Sequence, residues 1–161
     1  MVRYSIIITR TIQAIIATEG SELVSRFFPA VGLDNNKGDH GVVTMTNGIE
    51  TPIYQEIMIP EGIVTVDTAY AIVIPEGSGN LDWEVTTDWF GVAANEAYNA
   101  GTDSASGTTA VLTGEGEAIN ITAAFTGATA LDVVGILFKR ITAADTVGAD
   151  VLYVGVYVSG S

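Results

Sequence analysis

Along much of the chain, apolar and polar residues alternate with a period of two. Leu81, Trp83 and Val85 fall on one parity and Asp82, Glu84 and Thr86 on the other, and Trp89 and Asp88 extend the two rows. Successive side chains of a strand point to opposite faces, so this pattern predicts a half-buried strand. A looser example sets Ile53, Gln55, Ile57 and Ile59 against Tyr54, Glu56 and Met58. A third sets Ile119, Ile121, Ala123 and Phe125 against Ala118, Asn120, Thr122 and Ala124. Residues 69–74, 133–141 and 151–158 are almost continuously apolar and often β-branched. Such runs suit strands covered on both faces, inside a sandwich or beneath a neighbouring subunit.

Glycine, proline and asparagine punctuate these runs. The tetrapeptide Ile-Pro-Glu-Gly occurs at residues 59–62 and again at 74–77, each time ending an apolar run. Proline presets φ for the second position of a turn and glycine suits the fourth, so both copies predict strand-ending turns. Two copies do not make a repeat architecture. Strands are expected at residues 41–47, 51–59, 64–74, 80–89, 108–113, 117–125, 132–142 and 150–158, with residues 101–107 a polar loop. That number and spacing predicts an all-β fold, a jelly-roll-like antiparallel β-sandwich with an N-terminal arm or extra strand.

The first forty residues follow a different pattern. Ile12, Ile15, Ile16, Leu23, Val24, Phe27 and Phe28 approach helical spacing, but Gly20 interrupts it. Ser21 is placed to cap a short helix over residues 22–28 that Pro29 ends, and an extended segment suits the same residues. Residues 4–8 and 11–17 fit strands equally well. The expected organisation is residues 1–40 as an arm, strand and short helix or extended segment packing on the sandwich or on a neighbour. Residues 41–161 then form the sandwich, with one domain in all.

The 161 residues suffice for one domain with a core, and 48% of them are hydrophobic. Charge narrows the partners: 19 acidic residues against 6 basic ones leave a net −13. Nucleic acid needs clustered Lys and Arg to displace counterions from phosphates, and an anionic membrane surface attracts the same residues, so neither is expected as a partner. Only Lys139 and Arg140 are adjacent among the basic residues. With no cysteine, the fold uses neither disulfides nor thiolate metal sites. Thr9 and Arg10 end the apolar run at residues 6–8, and Gln13 interrupts the next. A secretion signal wants an unbroken stretch of about 7–15 apolar residues and a membrane helix about 20. The expectation is a chain made without a secretion signal, for which release by cell lysis fits.

Candidate chemistry is sparse. His40 is the one histidine, the G-x-S-x-G serine motif is absent, and Asp39-His40-Gly41 is turn-like, so His40 is expected in a solvated loop. Residues 34–39, from Asp34 through Asn35, Asn36, Lys37 and Gly38 to Asp39, resemble the start of a calcium loop. Gly38 stands at position five, Asp39 at six and Met45 at twelve, where an EF-hand wants Asp or Asn, Gly and Glu. A polar turn is the preferred reading. The pairs Asp82/Glu84 and Glu115/Glu117 have an i, i+2 spacing that approaches the wider carboxyl separation of a glycosidase, but any acidic strand face offers it. Trp83 and Trp89, flanked by apolar residues of the same parity, are expected in the core; exposed, they would be a platform for sugar rings. Asn120-Ile121-Thr122 matches a glycosylation sequon, which means little without secretion. No catalytic, cofactor or metal site is expected, and the chain is not read as an enzyme.

From Thr51 to the C-terminus the chain resembles small β-sandwich structural proteins of tailed phages. The resemblance is carried by Ile57-Met58-Ile59-Pro60-Glu61-Gly62, by Leu81-Asp82-Trp83-Glu84-Val85 and by Asn95-Glu96-Ala97-Tyr98-Asn99. Leu137-Phe138-Lys139-Arg140-Ile141-Thr142 with Asp145-Thr146, and residues 151–158, complete it. The resemblance implies a head-decoration, tail-fibre or other virion component, commonly a trimer, whose partners are copies of itself and other virion proteins. A subunit of an extracellular filament joined by N-terminal strand exchange is the alternative expectation, and a carbohydrate-binding module the third.

Overall fold

The structure, a computed structural model, describes residues 23–92 and 95–161. The strands expected at residues 4–8 and 11–17 lie outside the described residues. Ten strands are present among those described: β1 (Val24–Pro29), β2 (Asn35–Lys37), β3 (His40–Met45), β4 (Pro52–Met58), β5 (Val66–Pro75), β6 (Gly79–Gly91), β7 (Gly101–Val111), β8 (Glu117–Asn120), β9 (Asp132–Arg140) and β10 (Val151–Gly160). They form a six-stranded sheet, ordered β2-β3-β10-β5-β8 with β1 also paired to β10, and a four-stranded sheet, ordered β4-β9-β6-β7.

The topology is that of one long antiparallel ribbon wrapped on itself. β3 pairs with β10, β4 with β9, β5 with β8 and β6 with β7. Joining β10 to β5 and β9 to β6 closes the ribbon into two sheets. This wrapped pairing of eight antiparallel strands is a jelly roll. β1 and β2 extend the first sheet, with β1 lying along β10 beyond the point where β3 stops.

Alternation fixes the interior. β4 and β9 bury every second residue, and β6 does the same from Leu81 to Thr87. Ile53, Ile57, Leu81, Trp83, Val85, Val134, Ile136 and Phe138 of the second sheet meet Met45, Ala69, Ala71, Val73, Ile119, Val151, Tyr153, Val156 and Val158 of the first. Each large side chain so buried contributes roughly 1.5–3 kcal/mol. The continuous runs of β5 and β10 are covered on both faces over most of their length. Their outer residues Ile72, Ile74, Leu152 and Val154 form a second apolar cluster with Val42. The run at 133–141 behaves differently, because the outward residues Val133 and Leu137 of β9 are only half-buried.

Two expectations need correction. Residues 101–107 are not a loop but the first part of β7. Their composition misleads because the room on their inner face is taken from the opposite strand. Trp89 pairs with Gly101 and Trp83 with Gly107, and a Cβ at Gly101 would run into the Trp89 indole. Residues 24–29 take the extended of the two conformations expected, since pairing with β10 outweighs a helical spacing that Gly20 and Pro29 confine to about two turns. The strand expected at residues 117–125 ends at Asn120 and gives way to a 3-10 turn, Thr122–Phe125, that folds Phe125 into the core. Both Ile-Pro-Glu-Gly segments do end strands. In the first, however, the turn bond runs from Ile63 N–H to the Pro60 carbonyl, so Pro60 opens the turn. In the second, Pro75 is the last residue of β5, opposite Val151.

Two polar braces cross the apolar interior. Gln55 of β4 donates to the Phe28 and Pro29 carbonyls of β1, both at 3.1 Å, and accepts from the Tyr153 hydroxyl at 2.7 Å. Stacked rings continue this brace, Trp83 on Phe138 and Phe138 on Tyr153. The second brace is Arg140, whose residue is 0% exposed. Its guanidinium makes a bidentate pair with Asp145, both bonds at 2.7 Å, and donates to the carbonyls of Ala149 and Val147 and to Asn47 Oδ1. One buried cation thereby shapes the whole β9–β10 connection and ties it to the β3–β4 connection. Full desolvation leaves such a group stable only while every donor is matched.

Arg140→Met leaves Asp145 buried without its partner and lowers unfolding free energy in urea by about 3–5 kcal/mol, part of which Arg140→Met/Asp145→Leu recovers; a single-variant loss below about 1 kcal/mol contradicts the assignment. Burial pushes the Tyr153 phenol far above its ordinary range. The unfolded chain releases that proton near pH 10 while the folded chain keeps it, so the stability is complete below about pH 10 and falls as pH rises beyond it. Urea titrations between about pH 9 and 11 should show this fall, with a shallower slope for Tyr153→Phe; equal slopes would contradict it.

Candidate functional site

The residues singled out by chemistry serve mostly as struts. Asp34 Oδ1 accepts from the Thr44 N–H at 2.8 Å and its hydroxyl at 3.0 Å. Residues 35–37 form β2, and Gly38-Asp39 makes the two-residue turn into β3, with Gly38 at φ 62. His40 opens β3 opposite Lys37 and is half-buried, so it belongs to a strand end rather than a loop. Asp82 accepts from the Ala144 N–H, Glu84 pairs with Lys139 at 3.3 Å, and Glu117 accepts from the Leu112 N–H. Asn120 Oδ1 accepts from the Thr122 N–H. Among the described residues no three His, Cys, Asp or Glu side chains gather as a metal site would require.

Both tryptophans face inward. Trp83 is 6% exposed and donates from Nε1 to Thr109 Oγ1 at 3.0 Å, and Trp89 packs against the core. Neither is a platform for a ligand. Two strongly exposed aromatic rings lie elsewhere, Tyr54 on the outer face of the second sheet and Tyr98 in the connection beside it.

Strand register lays that face out in rows. Tyr54 of β4, Leu137 of β9, Thr86 of β6 and Ser104 of β7 form one. Glu56, Gly135, Asp88 and Thr102 form the next, and Met58, Val133 and Phe90 the last. The first two rows floor a groove of about 980 Å³, walled by Val31 and by Tyr98 and Asn99 of the β6–β7 connection. Tyr54 and Tyr98 are 70% and 71% exposed. A Cβ at Gly135 would lie 2.6 Å from Asp88 Oδ1, so any larger residue there would make the Asp88 carboxylate shift. Of the groove's polar side chains, Thr87 Oγ1 bonds the Ala124 carbonyl and Asp103 Oδ1 the Ser104 N–H. Those of Tyr54, Glu56, Asp88, Tyr98 and Asn99 have no hydrogen-bond partner among the described residues.

The last row is apolar and continues past the strand ends. Met58 is 48% exposed, Leu131 45% and Val92 60%, while Phe90 and Val133 are half-buried. Leu131 stands out by backbone as well. The turn from Thr129 to Asp132 closes through the Asp132 N–H on the Thr129 carbonyl, and the Thr129 N–H bonds the Asp132 carboxylate at 2.8 Å. Leu131 occupies the third position of this turn at φ 66, where glycine or asparagine is favoured. A leucine held there costs about 1–2 kcal/mol, yet its side chain faces water.

Sequence parity placed Tyr54, Glu56 and Met58 on one face together. It could not bring Asp88, Tyr98 or Leu131 to them, because those contacts depend on cross-strand register and a turn. No protein-family model matches the chain, and no curated protein matches it.

Proposed function

We propose that the chain is a self-assembling structural subunit, a virion component of the decoration or tail-fibre kind, that forms a trimer or higher assembly through the apolar end of its second sheet. The observation that carries this reading is Leu131. It is 45% exposed and its backbone is strained, and an apolar neighbour would reward both features. Met58, Val133, Phe90 and Val92 surround the same end without a charge among them. On a chain of net −13, two copies can meet closely only where carboxylates are absent. The virion setting draws its support from the jelly-roll topology and from the resemblance over the sequence from Thr51 onward.

The test is mass by sedimentation or light scattering on the full chain as concentration and salt are raised. The proposal expects association that strengthens with salt, as screening relieves the acidic repulsion. Met58→Glu should give a monomer with unchanged melting temperature. Leu131→Asn should weaken association while raising the melting temperature of the dilute subunit by about 2–8 °C. A wild-type monomer at high concentration contradicts the proposal, and so does a Leu131→Asn subunit that melts lower.

A further inference from the structure

The groove beside the apolar row has chemistry of its own. Its floor is polar and small, made by Thr86, Asp88, Thr102, Ser104 and Gly135, and its rim carries two exposed tyrosine rings. Three carboxylate residues line it, Glu56, Asp88 and Asp103, with no lysine, arginine or histidine among the lining residues. The nearest cation on the same face, Lys139, is paired with Glu84. The volume is at the upper end of the range for small-ligand sites.

We infer that this groove binds a neutral oligosaccharide. Sugar rings present an apolar C–H face, which stacks on aromatic rings such as Tyr54 and Tyr98, and a rim of hydroxyl donors. Carboxylates are the strongest acceptors for such hydroxyls, and Glu56 and Asp88 stand in one row with Gly135 between them. Gly135 has a specific part: a side chain there would displace the Asp88 carboxylate from the floor. The charge selects against anionic glycans, because an added carboxylate would meet three acidic residues and no base. A basic peptide is the other ligand that three carboxylates would suit, and the test below distinguishes it from a sugar. Glu56 and Asp88 act here as hydrogen-bond acceptors, and no bond is made or broken. The inference does not rest on the assembly reading, although the groove starts one row from the proposed interface.

Ligand-observed NMR and calorimetry on the full chain test it, with maltohexaose, cellohexaose, xylohexaose and mannohexaose as probes and hexagalacturonate as the anionic control. Wild type and Leu131→Asn should bind at least one neutral probe equally, which separates this site from association. Tyr54→Ala and Tyr98→Ala should each weaken binding about tenfold. Gly135→Ala should weaken it too, and the exposed Tyr54→Ala and Tyr98→Ala variants should keep the wild-type melting temperature. Absence of binding to every neutral probe overturns the inference. So does binding that survives both tyrosine changes, preference for hexagalacturonate, or capture of a tetralysine peptide in place of the sugars.

Discussion

In a strand, a residue that turns inward forces its neighbours outward, and this constraint governs the molecule. Ile53, Gln55 and Ile57 enter the sandwich, so Tyr54, Glu56 and Met58 must leave it. Trp83, Val85 and Thr87 do the same on β6, which sends Glu84, Thr86 and Asp88 to the other face. The wrapped pairing then brings these outward residues into rows across β4, β9, β6 and β7. The surface chemistry of the second sheet is therefore a by-product of core formation that the sequence has filled with particular residues. A slip of one residue in any of these strands would exchange core for surface.

Polar braces keep the register unique. Apolar side chains tolerate several packings, whereas the Gln55 and Arg140 hydrogen bonds are satisfied in one arrangement. Arg140 also explains why Asp145 follows it closely in the chain: the connection must fold back so that its carboxylate and the Val147 and Ala149 carbonyls surround one guanidinium. Partway along β10, the bulge after Tyr153 lets Gly155 pass so near the Phe28 carbonyl that no Cβ fits. These sites fix where β1, β3 and β5 meet the central strand, and so fix the first sheet.

What the sequence reveals follows the same physics. β4, β5, β6, β9 and β10 were legible because their own residues carry the alternation or the continuous apolar run. The first half of β7 was not, because its signal sits on the partner strand: Trp83 and Trp89 need small residues opposite, and Gly107 and Gly101 supply them. β1 was ambiguous because a short amphipathic segment suits helix and strand alike until β10 offers its edge. Of the outer face, Tyr54, Glu56 and Met58 could be grouped by parity. Asp88, Tyr98 and Leu131 join them only through pairing, a loop and a turn. Burial of Arg140 is invisible to a charge count, since the sequence does not show which cation loses its water.

The proposed assembly makes the outer face of β4, β9, β6 and β7 the working surface of this jelly roll. Hydrogen–deuterium exchange at low and high protein concentration reads it most directly. The account predicts that association slows exchange in peptides covering residues 52–58, 86–92 and 129–137, with the six-stranded sheet unchanged. Protection that appears instead on β5, β8 or β2, or nowhere, would contradict it.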